Sequence, residues 1–471
     1  MAVLLSSTQP ARLLDAIFAS LIMACLAVRA SSRVLEARGD GRGESHKALD
    51  DPRAVSLRHR FLAAFWAFKM ADWLQGPYFF EVYASKVFHG QPASEGLVAR
   101  LFLTGFGASA ALGAALGRLA AELGFRSGTL AGALFGSLAT LSTKAGTLPL
   151  LFAGRVAAGL STSLLSTTPE SWLSREQVRS GIPARWLSET LSLAYLGDSV
   201  VAVLAGQLSS AVAARGGPAA PFGLSQLFLA GGAAVVAATW RDDAERAGTE
   251  AASCEGESCT VKDGDLSGKA EQRTTSESST ATISSAWRLM RADPRILAVG
   301  AVQALFEGAM YVFVTQWPPA LKAALPGREV PFGKVFSCFM ASAMLGSSAF
   351  SGLVRSMPVE RILAGALAAA AGAMTSVLAA GESSFAALLG RFLVFEACVG
   401  VYFPAIGTLR SKHFPDSHRG VMMPMFGVPL NLIVVATMLG AKRLGLRGSL
   451  ACCAVALQGA FLAQARLLAQ K

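Results

Sequence analysis

Two arginines sit inside apolar runs of the chain, Arg155 in LPLLFAGRVAAGLSTSLLS at 148–166 and Arg391 in FAALLGRFLVFEACVG at 385–400. Arg155 heads a stripe with Gly159, Thr162 and Ser166 at steps of four, three and four, so on a helix all four share one face. A guanidinium with two hydroxyls beside it suits a tetrahedral dianion, which wants bidentate charge-assisted donors supplemented by hydroxyl donors. The competing reading is an interhelical salt bridge. The stretch ADWLQGPYFF at 71–80 adds a second constellation. Asp72 and Gln75 are three apart, and Gly76-Pro77 interrupts the helix beside them. Broken helices at membrane depth are tolerated where they line a cavity, so Gln75 and Tyr78 join Arg155, Arg391, Thr162 and Ser166 as expected substrate contacts. Asp72 is expected to carry a coupling proton or to pair with a neighbour such as Lys69. Glu307 is cast as a proton carrier or as the partner that neutralises an arginine. Glu170 and Glu396 are expected in ion pairs, and Asp198 is a weaker candidate of the same kind.

These groups need a membrane to be costly, and the composition supplies one. Of 471 residues, 53% are hydrophobic and only 15% charged, with a mean hydropathy of +0.47. A soluble domain carries about 25% charged residues, so the chain reads as an all-α, polytopic membrane protein. Its formal charge of +11 belongs to membrane loops rather than to a nucleic-acid surface, because no basic stripe with interleaved aromatics appears.

A span takes roughly 20 mostly apolar residues. Such runs occur near 11–29, 60–83, 97–121, 127–143, 148–172, 187–213, 221–240, 295–317, 332–354, 361–380, 384–408, 420–440 and 449–468. Residues 241–285 break the series with ten Asp/Glu, five Lys/Arg and many Ser and Thr, a composition that cannot bury a core. The expected organisation is an extra N-terminal transmembrane helix (1–30), a basic cytosolic loop (31–57), a six-helix bundle (58–240), a disordered cytosolic linker (241–285) and a second six-helix bundle (286–471). Arg12 precedes the first run, whereas Arg29, Arg33, Arg38 and Arg42 follow it. That is the reverse of a signal peptide, so the helix is expected to be retained with its N-terminus outside. Arg118 and Arg126, Arg175, Arg179 and Arg185, Arg355 and Arg361, and Arg410, Lys412 and Arg419 then mark cytosolic loops. Lys442, Arg443 and Arg447 break this pattern.

The halves repeat. ASAALG at 108–113 returns as ASAMLG at 341–346, Gly154-Arg155 as Gly390-Arg391, and LQGPY at 74–78 as FEGAM at 306–310. The last pairs Gln75 with Glu307. Small residues at repeated positions read as helix-packing faces, and two six-helix halves related by a parallel repeat are the plan of the major facilitator superfamily. The superfamily's loop signature survives only in degraded form as GRLAAELGFR at 117–126.

MADWLQGPY at 70–78, PESWLS at 169–174, APFG at 220–223, VQALFEGAMYVFV at 302–314, FSCFMASAMLGSS at 336–348 and EACVGVYFPAIGTLRSK at 396–412 closely resemble the eukaryotic molybdate-anion transporters of that superfamily. The resemblance covers the chain from about Arg58 to its end, apart from the linker. It implies a twelve-helix core, often with an extra N-terminal helix, that moves an oxyanion such as molybdate across a membrane by alternating access, with no cofactor.

The other function classes fare worse. No G-x-x-x-x-G-K-S/T motif for direct ATP drive is present. The five histidines lie outside the spans, and the scattered cysteines, Cys254 and Cys259 included, give no metal site. An organic anion or a sugar is the alternative cargo, although Asn431 is the chain's only asparagine and sugar sites draw on several. A receptor or scaffold would have no reason to carry buried Arg, Asp and Glu. A monomer in the plasma membrane is the expectation.

Overall fold

A computed structural model describes residues 10–37, 52–88, 90–241, 283–380 and 384–469. Most of the linker, residues 38–51 of the basic loop, Cys254 and Cys259 fall outside the described residues. Apart from one two-residue hairpin, β1 (Val87–Phe88) with β2 (Gln91–Pro92), everything regular is helical.

The elements run α1 (Pro10–Ala37), α2 (Pro52–Gln75), a 3-10 turn (Gly76–Tyr78), α3 (Phe79–Ala84), α4 (Glu95–Leu123), α5 (Phe125–Ser142), α6 (Leu148–Leu165), α7 (Thr168–Arg179), α8 (Ala184–Gly216) and α9 (Ala220–Thr239). After the linker come α10 (Ile283–Ala292), α11 (Pro294–Ala323), α12 (Phe332–Leu353), α13 (Val359–Ala379), α14 (Phe385–His413) and α15 (Asp416–Ala469). Gly445, at φ 62°, divides α15 into two antiparallel spans. This is a left-handed conformation that glycine adopts without penalty. Helix starts are set locally. The Ser94 and Ser384 hydroxyls accept from the amides of Leu97 and Ala387, and the Asp293 carboxylate accepts from the Arg295 amide ahead of Pro294. Such caps satisfy donors that a helix end leaves open.

Ten helical stretches among the described residues are long and apolar enough to cross a membrane. Three expected spans fall short of that measure for visible reasons. Arg53, Arg58 and Arg60 open α2, which also carries Lys69 and Asp72; α5 is rich in Gly, Ser and Thr; and Met425–Gly440 is short. With these three counted, the described helices form one leading span and two sets of six.

Within the first set, α4 and α5 pack on α6, and α2 packs on α8 and α9. Within the second, α12 and α13 pack on α14, and α11 packs on α15. The repeated small-residue segments lie at the closest crossings. A Cβ on Gly159 would meet Ala108 and the Ser109 amide at 2.9 Å, and one on Gly113 would meet the Ser163 hydroxyl at 2.9 Å. In the second half, Gly346 abuts the Ala397 carbonyl and Gly400 abuts the Ala343 carbonyl. The second half adds a ring-packed core, with Phe313 4.7 Å from Phe395 and 5.0 Å from Phe392 between centroids.

The leading helix α1 packs on α12 of the second half, although the chain joins it to the first. Asp15 pairs with Lys334 at 2.6 Å, and the Cys25 thiol donates to the Ala341 carbonyl at 3.5 Å. Pro10 shares a surface recess with Glu81 and Lys322, so the N-terminal end of α1 lies at the same end of the molecule as the Ala84–Glu95 connection.

The contacts that close the halves on each other gather at that end. Glu81 of α3 pairs with Lys322 of α11 at 3.0 Å, and the Tyr78 ring meets Phe332 edge-on at 6.1 Å. The Ser337 hydroxyl donates to the Val203 carbonyl at 2.8 Å, and a Cβ on Gly206 would sit 2.6 Å from the Gly333 carbonyl. Nearer the opposite end, Tyr195 and Phe403 remain 49% and 48% exposed. The structure is therefore sealed at the Ala84–Glu95 end.

Candidate substrate-binding site

Inside that seal lies a cavity of about 260 Å³. Its first-half wall carries Asp72, Gln75, Phe79, Arg155 and Thr162. The second half contributes Thr315 and Gln316. A second recess of about 180 Å³ shares Asp72, Gln75 and Thr162 with it and reaches Lys69 and Ser166.

The break after Gln75 creates much of this wall. Pro77 has no amide hydrogen to donate and its φ is fixed, so α2 ends, one 3-10 turn intervenes and α3 resumes. The turn leaves Gly76 facing open space, since a Cβ there would meet nothing within 4 Å. Gln75 returns its amide to the Ala71 carbonyl at 2.9 Å. Tyr78 points the other way. It is 7% exposed, packs on Phe332 and lines the recess at the sealed end, not the cavity. The expected substrate contact at Tyr78 is corrected to a place in the seal, because the 3-10 turn rotates it away from the side that Gly76 and Phe79 present.

Arg155 is held in three ways. Its Nε donates to the Leu101 carbonyl at 3.3 Å, its guanidinium lies 4.7 Å over the Phe79 ring, and Gly105 leaves room for it. A Cβ on Gly105 would stand 2.6 Å from a terminal guanidinium nitrogen. With Nε engaged, the terminal nitrogens are the remaining donors; one of them lies against Gly105, and the side chain lines the cavity. Thr162 and Ser166 follow on the same face, exposed to the two recesses, with their hydroxyls donating at 3.0 and 3.1 Å to the carbonyls of Ala158 and Ser163. Each hydroxyl oxygen retains acceptor capacity, and its proton can swing to an incoming anion.

Asp72 is exposed to both recesses. Lys69 does not pair with it as expected. Its ammonium lies 3.5 Å from Asp198, whose other oxygen accepts from the Trp73 indole at 2.7 Å. One helical turn separates Lys69 from Trp73, so both reach Asp198 on α8, and the Asp72 carboxylate is left to the cavity.

The second half behaves differently. Glu307 is half-buried and accepts from the Tyr402 hydroxyl at 3.1 Å, with Arg410 acting on it electrostatically. Arg391 is half-buried on α14 and lines neither recess. Glu396 is 6% exposed, and no ion pair forms on it among the described residues. Glu170 accepts a short hydrogen bond from the Tyr195 hydroxyl instead of pairing with a cation. The ion pairs expected at Glu170 and Glu396 are thus corrected, to a phenol hydrogen bond in the first case and to a buried carboxyl in the second. The spacing carried no information about either, because what surrounds each carboxyl comes from other helices.

Phe79, Thr315 and Gln316 also line the cavity, beyond the residues expected from the sequence. A signal existed for the last two in TQWPP at 315–319. Pro318 and Pro319 lie inside α11, where they withhold the amides that would meet the carbonyls of Val314 and Thr315. No cluster of metal-ligating residues occurs among the described residues.

Comparison with known proteins places this geometry in a family. A family model described as sugar transporters with twelve transmembrane helices matches residues 19–256 and 265–400. A molybdate-anion transporter of Takifugu rubripes is 30% identical over 88% of this chain and 84% of its own length. One from Xenopus tropicalis is 28% identical over 83% and 80%. Among solved structures, a D-xylose-proton symporter superposes with a TM-score of 0.62 at 12% identity, over 88% of this chain and 96% of the other. An autoinhibited peptide transporter of the POT family gives 0.61 at 14%, over 88% and 96%. At those identities the structures speak for the fold alone. Two six-helix halves enclosing a polar cavity, the twelve-helix family model and the sequence relatives agree: the chain belongs to the molybdate-anion transporter family, with the major facilitator fold and one extra N-terminal helix.

Proposed function

We propose that the protein is a secondary active transporter that carries molybdate, or a closely similar tetrahedral oxyanion, by alternating access. The observation that carries this reading is Arg155, whose side chain lines the cavity between the halves while its Nε is held by the Leu101 carbonyl. A dianion leaving water must find paired charge and hydrogen-bond donors, or its desolvation goes uncompensated. Arg155 supplies a bidentate fork, and Thr162, Ser166, Gln75, Thr315 and Gln316 supply neutral polar groups around it. Asp72, exposed to the same space, is the candidate carrier of a coupling proton. Transport then requires the Glu81–Lys322 and Tyr78–Phe332 contacts to part while the opposite end closes. The protein works as a monomer in the plasma membrane, with its N-terminus outside and the linker in the cytosol.

The test is uptake of labelled molybdate by cells lacking their own molybdate transport, with tungstate and sulfate as competitors. Saturable uptake that tungstate blocks is expected, and absence of uptake by correctly localised protein defeats the reading. A second reading, a sugar, has one point in its favour: Trp73, Gln75 and Gln316 line the cavity. A panel of unlabelled sugars in the same assay decides it, because a sugar that displaces molybdate at micromolar to millimolar concentration would make it the cargo.

A further inference from the structure

One short segment touches both the anion-binding arginine and the seal. In the nine residues from Gly76 to Ala84, Tyr78 packs on Phe332 of the second half at 6.1 Å and Glu81 pairs with Lys322 of the second half at 3.0 Å. Between them, Phe79 lies under the Arg155 guanidinium at 4.7 Å and meets Phe102 of the cavity wall edge-on at 5.6 Å. Tyr78 is the last residue of the 3-10 turn and Phe79 the first of α3, so neither ring can travel far without the other. Arg155 itself stands on α6 and is tied to Leu101 of α4, which places it on a different element from the ring beneath it.

We propose that Phe79 is a positioning residue that couples the strength of the Arg155 anion site to the state of the seal. With the seal closed, the ring holds the guanidinium plane and the Leu101 carbonyl holds Nε, so the guanidinium is fixed at the cavity wall. Parting Tyr78 from Phe332 and Glu81 from Lys322 displaces α3 and withdraws the ring. The guanidinium then keeps one tether instead of two, and the anion is held less firmly. The binding strength of the site thereby depends on which end of the transporter is closed. This inference rests on Arg155 being the anion contact.

The experiment measures molybdate uptake by the full-length protein at matched surface expression, and separates KM from maximal rate. Phe79→Leu is expected to raise KM roughly three- to ten-fold, the scale of a partly desolvated cation–π contact, with maximal rate per molecule changed less than two-fold. Phe79→Tyr restores KM, because it keeps the ring. Glu81→Gln, which loosens the seal, raises KM on its own, and in that background Phe79→Leu adds little further. Unchanged KM in Phe79→Leu overturns the positioning role, provided that Arg155→Lys in the same assay still raises KM. If Arg155→Lys is also without effect, the anion site itself has been misplaced. If Phe79→Leu and Glu81→Gln multiply as independent changes, Phe79 supports Arg155 but the coupling to the seal is absent. Should Phe79→Leu fail to reach the membrane, Phe79→Trp replaces it; a normal KM is then expected, and a raised one counts against the ring as the element that matters.

Discussion

In the first half Arg155 lines the cavity, whereas its repeat partner Arg391 lines no part of it. The same divergence separates Gln75 from Glu307. Gln75 is on the cavity wall, and Glu307 is turned to Tyr402 inside its own bundle. The duplicated backbone places equivalent residues at equivalent depths, but the environments differ. The first half breaks its first helix at Gly76-Pro77 and opens a polar wall. In the second half α11 continues unbroken past Gly308, and Phe306, Phe313, Phe392 and Phe395 interlock around the equivalent position. A repeat therefore guarantees shared packing, seen in the matching Gly contacts of 105–113 with 159–163 and of 343–346 with 397–400. It does not guarantee a shared site. Of the two repeat-related arginines only Arg155 lines the cavity, and the second half contributes Thr315 and Gln316 instead.

The sharpest test of that asymmetry is Arg155→Lys. An ammonium keeps the charge but not the planar fork. Losing one bidentate contact costs on the order of 1.5–3 kcal/mol, a ten- to hundred-fold loss of apparent affinity in uptake assays. An equal loss from Arg391→Lys would make both arginines substrate contacts.

Asp72→Asn comes next. An amide cannot take up and release a proton, so net uptake should lose its dependence on an imposed pH gradient while molybdate exchange across proteoliposome membranes persists. Glu307→Gln, away from the described cavity, should retain the gradient dependence. The reverse outcome would move the coupling group to the second half.

A smaller effect is expected from Lys322→Met. Its partner pair is 57% exposed on the lysine side, and exposed pairs contribute about 0–1 kcal/mol. The expected result is an up to roughly five-fold shift towards the open seal, read as faster labelling of a cysteine placed at Ser210. No shift would remove the pair from the gate.

Arg391→Lys is expected to leave KM within about two-fold of normal, since a residue off the cavity contributes no substrate contact. Deletion of residues 260–280 should change least, because about 20 polar residues remain between Arg241 and Ile283, each able to span roughly 3.3 Å when extended. Complete loss of uptake in a normally localised deletion would assign the acidic linker a role beyond connection.

Composition and periodicity alone determined a good deal. The membrane class, ten of the thirteen expected spans, the helix break at Gly76-Pro77 and the small-residue faces all follow from local chemistry. Twenty apolar residues have few alternatives in lipid, a proline cannot donate its amide, and only glycine or alanine lets backbones approach so closely. The stripe of Arg155, Thr162 and Ser166 was legible for the same reason, because residues at steps of three and four share a helix face wherever the helix is placed. What lies opposite that face was not. That Lys69 chooses Asp198 over Asp72, that Glu170 meets Tyr195, that Tyr78 finds Phe332 once the 3-10 turn has rotated it and that Arg391 misses the cavity are decided by contacts with other helices. Phe79 shows the limit most clearly. In the sequence it is one apolar residue in FFEVYA, and only the reach of the Arg155 side chain from α6 puts a guanidinium from 76 positions later over its ring.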